Sequence, residues 1–507
     1  MPLMMFWLIF MSLAFTAYAV SPGTLDANFG TSGVALRNIS TSNDEILAVA
    51  IQSDNKIVAV GYSEGTPVFT ITRFNTNGTP DTGFGTGGLV QTSFALPNNN
   101  LVDVPSYAYT VAIQSDGKIV VAGDIGFGRA FGLARYTSTG QLDSSFGNGG
   151  KVITETQNVS ALRQIAIQSD GKIIAVGSTT VSDFAVVRYT TGGALDTTFG
   201  GGDGIAITDF YNEADNATSV KLQSDGKIVV AGGAVEPDFL TTLFAVARYN
   251  TNGSLDTSFN GNGLKTVFTE CGPDALGCGA ETMGIQPDGK IAVAAGNDDI
   301  YLARFNADGS QINGVITTNI GGSSDKAYSM AIDSAGAILI AGSTLAKGDE
   351  NFFVAKYLSS GVLDQSFDNG DGIVITPLGS NSDIGHAIAV QPNAGIIVGG
   401  SKGDFGAKEF ALVRYLGVQP TAANALITGR IVSANGSGIS NVRVALTNGQ
   451  GTTVYAITSS FGYYSFYDIP VGQTYIITPN STRYTFTPSS LVITLMDDLT
   501  TANFTAQ

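Results

Sequence analysis

The sequence predicts an all-β protein, a seven-bladed β-propeller followed by a C-terminal β-sandwich. Three observations support this prediction. The 507 residues include 64 glycines and only 13% charged residues, which is typical of β-proteins with many tight turns. One phrase, the stretch from Ala112 to Gly123, recurs seven times with variations. After Tyr415 this repeat stops, and a different pattern of alternating strands follows.

The repeated phrase predicts a β-hairpin. Asp116-Gly117 is a two-residue turn signal between an apolar run and the β-branched run that follows Lys118. A hairpin alone is marginal in water, so neighbouring copies must bury one another's faces. The seven copies are centred on Gln52, Gln114, Gln168, Gln223, Gln286, Asp333 and Gln391.

Two further markers follow the same repeat, a Leu-Asp-x-x-Phe element and an Ala-Arg-Tyr element. Gln52 to Gln391 spans 339 residues over six periods, and the aspartates from Asp26 to Asp364 span 338, so both give a period of about 56 residues. A Gly-x-Val-x-Thr run, as in Gly150 to Thr154, brings the count to four strands per repeat. Seven such units favour a propeller over the alternative, a linear β-solenoid.

The last two markers predict one ion pair per blade with a scaffolding role. The basic residue precedes the aspartate by eight residues in every copy that has both: Arg73 and Asp81, Arg135 and Asp143, Arg188 and Asp196, Arg248 and Asp256, and Lys356 and Asp364. Asp26 and Arg414 are left without partners at the two ends of the repeats. A closed ring predicts that these two meet, with the strand from Gly33 to Leu36 completing the last blade.

Strand parity separates two ends of the propeller. The uniform end carries the Asp-Gly turns and the Leu-Asp-x-x-Phe elements of all copies. The variable end carries links of differing length, and because loops on a rigid scaffold commonly carry function, it is the predicted partner-binding face. Unconstrained drift is the alternative reading of this variation. The variable links are residues 91–107, 210–218, 233–242 and 343–351 and the loop between the two cysteines.

The repeat elements, which cover Pro22 to Tyr415, resemble those of the bacterial delta-60 repeat family. That resemblance implies an exported or cell-surface repeat protein without an assigned activity. Residues 425–507, with runs such as Ile427 to Val432 and Ser460 to Phe466, resemble carboxypeptidase regulatory-like domains, which are small prealbumin-like β-sandwiches. This second resemblance implies a spacer or accessory binding module. Residues 417–424 form the predicted linker.

Residues 1–19 predict a signal peptide. Met1 to Phe15 is almost wholly apolar, and the small residues Ala17 and Ala19 suit a cleavage site. No Lys or Arg precedes Arg37, which leaves an uncleaved anchor as the alternative. We expect a secreted or cell-surface monomer without a transmembrane segment after cleavage. In an exported protein the only two cysteines, Cys271 and Cys278, predict a disulfide.

The sequence offers little for catalysis or cofactor binding. The net charge of −17 and the absence of a basic patch argue against nucleic acid as a partner. The oxygen-rich turns at Asp368 to Gly372 and Gly202 to Gly204 leave structural calcium as an alternative to turn chemistry, but no cofactor is predicted. The only histidine, His386, is interpreted as an ordinary residue at a loop-to-strand junction, where other copies have Leu47, Tyr109, Arg163, Thr218, Glu281 and Tyr328.

The predicted function is non-catalytic binding of an extracellular protein or glycan at the variable end. One alternative is a structural surface protein without a ligand. The other is a propeller hydrolase or lyase that uses carboxylates of the variable loops. A contiguous pocket of carboxylates at the channel mouth would favour the enzyme, and a mixed surface would favour binding.

Overall fold

The computed structural model describes residues 22–64, 67–96, 101–155, 159–237, 241–269, 271, 278–346, 348–368, 370–379, 382–417, 424–449, 451–471, 473–495, 499 and 501–507. The predicted signal peptide at 1–19 and most of the predicted linker at 417–424 lie outside these residues. All regular structure in the described ranges is β-strand. None of these ranges contains a helix with the length and apolarity needed to cross a membrane.

Seven four-stranded antiparallel sheets form the repeat region. We number them as blades 1 to 7, and the first strand of each is its inner strand. The strands are Asp44–Ile51, Ile57–Ser63, Phe69–Phe74 and Leu89–Thr92 (blade 1); Ser106–Ile113, Ile119–Ile125, Ala130–Tyr136 and Lys151–Thr154 (blade 2); Ser160–Ile167, Ile173–Ser178, Phe184–Tyr189 and Ile205–Thr208 (blade 3); Asp215–Leu222, Ile228–Val235, Thr242–Tyr249 and Leu264–Val267 (blade 4); Thr282–Ile285, Ile291–Gly296, Ile300–Phe305 and Ile316–Thr318 (blade 5); Asp325–Ile332, Ile338–Ala346, Asp349–Tyr357 and Ile373–Thr376 (blade 6); and Ile384–Val390, Ile396–Lys402, Glu409–Tyr415 and Val34–Arg37 (blade 7).

The blades form a closed ring around a central channel. Each inner strand contacts the inner strands of both neighbouring blades, including that of blade 7 against that of blade 1. The N-terminal strand Val34–Arg37 pairs with Glu409–Tyr415 in the register Val34 to Val413, so the two ends of the repeat region share one blade. The seven-bladed propeller is therefore confirmed, and the linear solenoid is excluded.

Blade faces are almost wholly apolar because each is covered by its neighbour. Between blades 3 and 4, for example, Val176 and Val186 pack against the side that carries Val220 and Val230. At the edge of four of these interfaces a buried tyrosine hydroxyl meets a threonine of the preceding blade. The pairs are Tyr136 with Thr92 (2.7 Å), Tyr189 with Thr154 (2.7 Å), Tyr249 with Thr208 (2.8 Å) and Tyr415 with Thr376 (2.7 Å).

The turn of the repeated phrase is longer than predicted. The Gln114 amide donates to the Lys118 carbonyl (2.8 Å), and the Gly117 amide donates to the Gln114 carbonyl (2.9 Å). Only Gly117 has a positive φ, 81°, so Asp116-Gly117 is not a two-residue turn with both residues left-handed. The geometry is that of a tight turn followed by one left-handed residue. The Asp116 carboxylate adds a bond from the Lys118 amide (3.1 Å).

Residues 424–507 form a separate pair of four-stranded sheets. One sheet consists of Tyr463–Pro470, Asn424–Ser433, Phe504–Ala506 and Phe486–Thr487, and the other of Thr453–Ile457, Arg443–Asn448, Gln473–Asn480 and Leu491–Leu495. Both sheets contribute to one core, with Ile427 and Ile431 from the first and Val444 and Ile477 from the second. The predicted C-terminal β-sandwich is confirmed.

The variable links contain more strand than the sequence indicated. Residues 91–107 include a small hairpin, Phe94–Leu96 paired with Leu101–Val104. Residues 343–351 are not a loop, because the central hairpin of blade 6 continues to the pair Ala346 and Asp349. Cys271 and Cys278 are joined as a disulfide, and residues 272–277 between them lie outside the described residues.

Candidate ligand site in the central channel

Seven equivalent residues of the repeat meet in the channel. In six blades the pairing of the inner strand with its neighbour shifts register at this position, for example between Ile46 and Ala48, which leaves Leu47 unpaired. In blade 5 the residue directly precedes the inner strand. A β-bulge re-aims a side chain, and here it directs these residues to the channel. They are Leu47, Tyr109, Arg163, Thr218, Glu281, Tyr328 and His386. His386 is thus a channel residue, which corrects its interpretation as an ordinary junction residue.

The glycine that ends the repeated phrase is a consequence of this bulge. A Cβ built on Gly123 would lie 1.8 Å from the carbonyl oxygen of Tyr107 on the bulged strand. The equivalent Gly232 is equally close to the carbonyl oxygen of Asn216, at 1.9 Å. The glycine of the Val-Ala-Gly ending is therefore required because the second strand closely approaches the backbone of the bulged inner strand. This ending is the sequence signal that could have located the channel ring.

The seven residues line a cavity of about 410 Å³ together with their neighbours on the inner strands. Its walls combine aromatic, apolar and charged side chains. Arg163 and Lys221 are its cations, and Glu281 is its carboxylate among the described lining residues. A volume of this size is typical of pockets for small ligands or single groups of a larger partner.

Lys221 is an exception within its own ring of equivalent positions. Two residues before the repeat's Gln or Asp, the other six copies carry only alanine or glycine: Ala50, Ala112, Ala166, Gly284, Ala331 and Ala389. Burial lowers the pKa of the Lys221 ammonium, and no acidic group opposes that effect. Among the described residues its Nζ has no ion-pair or hydrogen-bond partner. The cavity therefore contains one uncompensated amine.

A network of three residues connects the channel wall to the variable end. Glu45 Oε1 lies 2.9 Å from Lys408 Nζ, and Glu45 Oε2 lies 3.4 Å from His386 Nε2. Burial acts to raise the pKa of Glu45, but His386 and Lys408 outweigh it and lower the pKa to about 2. The His386 ring in turn packs against Tyr328, with centroids 5.0 Å apart. Glu45 is therefore an anion held in place by its neighbours.

Arg163 is already engaged by neighbouring groups. Its guanidinium lies over the Tyr109 ring, 5.3 Å from the centroid. Burial raises the pKa of Asp124 to about 6, against the opposing charge of Arg163. Burial also raises the pKa of Glu281, again opposed by Arg163 and by Lys326. Arg163 thus stacks on one aromatic ring and acts electrostatically on two carboxyl groups.

Aromatic side chains surround the channel near blades 1 and 2. Tyr107 makes an edge contact with Tyr62 (5.0 Å between centroids) and stacks near Tyr109 (6.3 Å). Phe127 lies 6.5 Å from the Tyr107 ring and is 77% exposed. Burial raises the pKa of both Tyr62 and Tyr107, so these phenols remain neutral. We call Tyr62, Tyr107, Tyr109 and Phe127 the aromatic patch.

The structure brings the predicted ion-pair residues together at the uniform end. The basic nitrogen and the carboxylate oxygen are 2.7 Å apart for Arg73 and Asp81, 2.8 Å for Arg135 and Asp143, 2.8 Å for Arg188 and Asp196, 2.7 Å for Arg248 and Asp256, 2.9 Å for Lys356 and Asp364, and 2.7 Å for Arg414 and Asp26. These ion pairs hold blades together. Within each repeat they lie at the uniform end, whereas the channel residue lies on the inner strand or directly before it.

In four blades a lysine joins the ion pair, and the sequence analysis did not predict it. The lysine of the turn lies against the same aspartate oxygen: Lys118 Nζ is 3.1 Å from Asp143 Oδ2, and Lys56, Lys172 and Lys227 do the same in their blades. The arginine also donates to a backbone carbonyl of the next blade, as Arg135 does to Thr191 (2.6 Å). The recurrence of Asp-Gly-Lys was the available signal.

Carboxylates also group at the variable end of blades 3 and 4. One oxygen each of Asp183, Asp209 and Asp215 lies within 4.8 Å of the others, an arrangement that could hold a cation. The turns for which calcium was the alternative show turn chemistry. Asp203 accepts the Ile205 amide and Asp371 accepts the Ile373 amide, both at 2.9 Å.

Comparison with known proteins relates the repeat region to a family without an assigned function. Six segments, residues 52–84, 114–146, 168–199, 223–259, 286–311 and 336–367, match the family described as "Domain of unknown function (DUF5122) beta-propeller". These six segments are therefore similar to the repeats of a β-propeller family. No curated protein matches the sequence.

Three solved structures are similar to this chain at low sequence identity. The polysaccharide lyase Uly1 is 13% identical, with 76% of this chain and 93% of that chain covered and a TM-score of 0.44. The Dos1 propeller is 9% identical, with 75% and 94% covered and a TM-score of 0.45. PorZ, a surface component of the type-IX secretion system of Porphyromonas gingivalis, is 11% identical, with 89% and 59% covered and a TM-score of 0.43.

Proposed function

We propose that this protein is an exported, non-catalytic binding protein whose propeller holds one group of a protein or glycan partner in its central channel. The observation that carries the proposal is the channel ring. Seven positions that are equivalent by repeat hold six different residue types, whereas the equivalent positions at the uniform end are nearly identical. These different side chains converge on one cavity of about 410 Å³.

The lining of the cavity supports binding over catalysis. The criterion for an enzyme is a contiguous pocket of carboxylates at the channel mouth, but Glu281 is the cavity's carboxylate among the described lining residues, with cations and aromatic rings around it. The group of Asp183, Asp209 and Asp215 does not line this cavity. Glu45 is held by Lys408 and His386. A mixed lining of this kind suits recognition, in which a few polar groups orient a ligand on aromatic and apolar walls.

The aromatic patch supports a partner larger than the cavity. Tyrosine rings present large, rigid contact surfaces at low entropic cost, and Phe127 extends this surface into solvent. On this proposal the partner inserts one group into the cavity and covers the patch with its remainder. The mature chain lacks tryptophan, since Trp7 lies in the predicted signal peptide, so tyrosine would provide any stacking on sugars.

The proposal includes the expected cellular context. The resemblance to delta-60 repeats and the apolar residues 1–19 support export to the cell surface or medium, where the carboxypeptidase regulatory-like module would act as a spacer or accessory binding module. The acidic chain would act as a monomer without nucleic acid partners. A purely structural role remains the second reading, and the experiment below separates it from binding.

The test is capture on glycan and extracellular-protein arrays by the full mature chain. We expect Tyr328→Ala, which removes a wall of the cavity, to weaken capture at least tenfold. Tyr467→Ala is the matched control, because Tyr467 is an exposed tyrosine of the C-terminal sandwich. Capture that is absent for the wild type, or equal for the wild type and Tyr328→Ala, would contradict channel binding and favour the structural role.

A further inference from the structure

We propose that Lys221 is the anion-binding residue of the channel cavity and that the group it binds is a carboxylate. This inference rests on the proposed function, because it names the chemistry of the partner group that enters the channel. It assigns one residue to that recognition, and it separates acidic partners from neutral ones.

The position of Lys221 argues for a role beyond packing. The six equivalent positions carry alanine or glycine, so the repeat accommodates a small side chain at this point on the inner strand. A lysine instead places a half-buried ammonium in the cavity without a partner among the described residues. An unpaired charge that has lost part of its hydration is costly, whereas an alanine would avoid that cost. A ligand anion would supply the missing charge.

The other cation of the cavity does not compete for this role. Arg163 differs from Lys221, because its guanidinium stacks on the Tyr109 ring and its charge acts on the carboxyl groups of Asp124 and Glu281. Lys408 is occupied by Glu45 at 2.9 Å. Of the two cations in the described cavity lining, Lys221 is the one with no aromatic ring or carboxyl group recorded against it.

The charge balance favours a carboxylate over a phosphate. Arg163 and Lys221 contribute two positive charges and Glu281 one negative charge, so the lining carries a net charge of +1 when all three are ionised. A carboxylate monoanion neutralises this charge, whereas a phosphate dianion would leave an excess negative charge beside Glu281. Tyr109, Tyr328 and Leu47 provide walls for the carbon skeleton of the ligand.

Two sources of a carboxylate fit a cavity of this size, a sugar acid and an acidic amino-acid side chain. We would titrate the full mature chain calorimetrically with glucuronate and with N-acetylaspartate α-methylamide, each a carboxylate monoanion, and with their neutral counterparts glucose and N-acetylasparagine α-methylamide. At least one acid should bind tenfold or more tightly than its counterpart. The acid that binds identifies the source, and equal affinities for acid and neutral forms would overturn the inference.

The variant Lys221→Met tests the residue itself, because it keeps the length of the side chain and removes its charge. We expect this variant to lose the preference for the acid while its affinity for the neutral compound is unchanged. Lys265→Met, on the outer strand of the same blade, should retain the preference. A preference that persists in Lys221→Met would overturn the assignment.

A second measurement does not depend on folding of a variant. Because an amine of lowered pKa is more nucleophilic near neutral pH, limiting acetic anhydride should acetylate Lys221 in the wild type, as read by peptide mapping. The bound acid should slow this reaction at least fivefold and leave Lys265 unaffected. Equal labelling of Lys221 with and without the acid would contradict the proposal.

The two proposals can fail separately. Partner capture that depends on Tyr328 but shows no preference for acids would contradict the role of Lys221 and leave channel binding standing. A Lys221-dependent preference for acids without capture of any protein or glycan would support the carboxylate site and contradict the proposed partner class.

Discussion

At the scale of single residues, the aspartate of each Leu-Asp-x-x-Phe element concentrates the polar contacts of its blade. Asp143 Oδ2 lies 2.8 Å from Arg135 Nε and 3.1 Å from Lys118 Nζ, and its Oδ1 accepts the Ser145 hydroxyl at 2.6 Å. The Ser145 hydroxyl and these cations hold the pKa of Asp143 well below its usual range. One carboxylate thereby joins the hairpin turn, the third strand and the link to the next blade.

We predict that Asp143→Asn lowers the free energy of unfolding at pH 7 by about 3 kcal/mol, because it leaves the buried guanidinium of Arg135 without its counter-charge and removes the nearer of the two carboxylates of Lys118. Urea unfolding followed by far-UV circular dichroism measures this change. Asp116→Asn is the control: Asp116 pairs with the same Lys118 but is exposed, so its loss should cost under about 0.5 kcal/mol. Equal effects of the two variants would show that the buried pair has no special role.

The sign of the pH dependence follows from the lowered pKa. A carboxyl whose pKa is lower in the folded than in the unfolded state stabilises the fold above its unfolded pKa, near 4. That contribution is lost as the pH falls through the folded pKa. The ion-pair aspartates with lowered pKa values, Asp81, Asp143, Asp196, Asp256 and Asp364, therefore favour unfolding in acid.

At the scale of elements, an aspartate caps the loop that leads into several inner strands. Asp325 Oδ2 accepts the Ile320 amide at 2.8 Å, and its Oδ1 accepts the Thr344 hydroxyl at 2.6 Å. Asp215 accepts the Phe210 amide in the same way, at 2.7 Å, but its buried Oδ1 has no partner among the described residues. Burial, together with Asp209 and Asp183, raises the pKa of Asp215 to about 7.

We predict that Asp215 destabilises blade 4 as the pH rises. A carboxyl with a raised folded pKa stabilises the fold below its unfolded pKa, and this contribution is lost as the pH rises towards 7. Between pH 5 and 8 the wild type should lose on the order of 2 kcal/mol more than Asp215→Asn, in urea unfolding with a chelator present. Asp225→Asn, in the turn of the same blade, should keep the wild-type slope. An unchanged slope in Asp215→Asn would contradict this prediction.

The blades were predictable because their markers are periodic, and the channel ring was not. A propeller blade repeats its strand lengths, so the eight-residue spacing from Arg135 to Asp143 fixes which segments adjoin. A bulge inserts one unpaired residue without changing the period, so Tyr109 and His386 seem to continue an ordinary strand in the sequence. The seven side chains meet in the channel because of this local backbone geometry. Its signal in the sequence is the Val-Ala-Gly ending of the repeated phrase.

At the scale of the whole molecule, the two ends of the repeat region close the ring with the contacts that join internal blades. Arg414 Nη2 lies 2.7 Å from Asp26 Oδ2, and its guanidinium lies over the Phe29 ring, 4.6 Å from the centroid. The Gly30 amide donates to the Asn77 carbonyl of the next link, at 2.8 Å. Because Val34–Arg37 covers the outer edge of Glu409–Tyr415, blade 7 is completed by the opposite end of the repeats.

We predict that a chain starting at Asn38 unfolds at lower urea concentration than one starting at Pro22. Removing residues 22–37 takes away the outer strand of blade 7 and leaves Arg414 without Asp26, so Glu409–Tyr415 becomes an unpaired edge. Amide hydrogen exchange should become at least tenfold faster in residues 384–415 than in the intact chain, while blade 3, residues 160–208, should change less. Asp26→Asn keeps the strand and should give an intermediate loss of stability. Equal urea midpoints and equal exchange for the two chains would mean that ring closure contributes nothing to stability. The three inner strands of blade 7 would then be stabilised by their contacts with blades 6 and 1 alone.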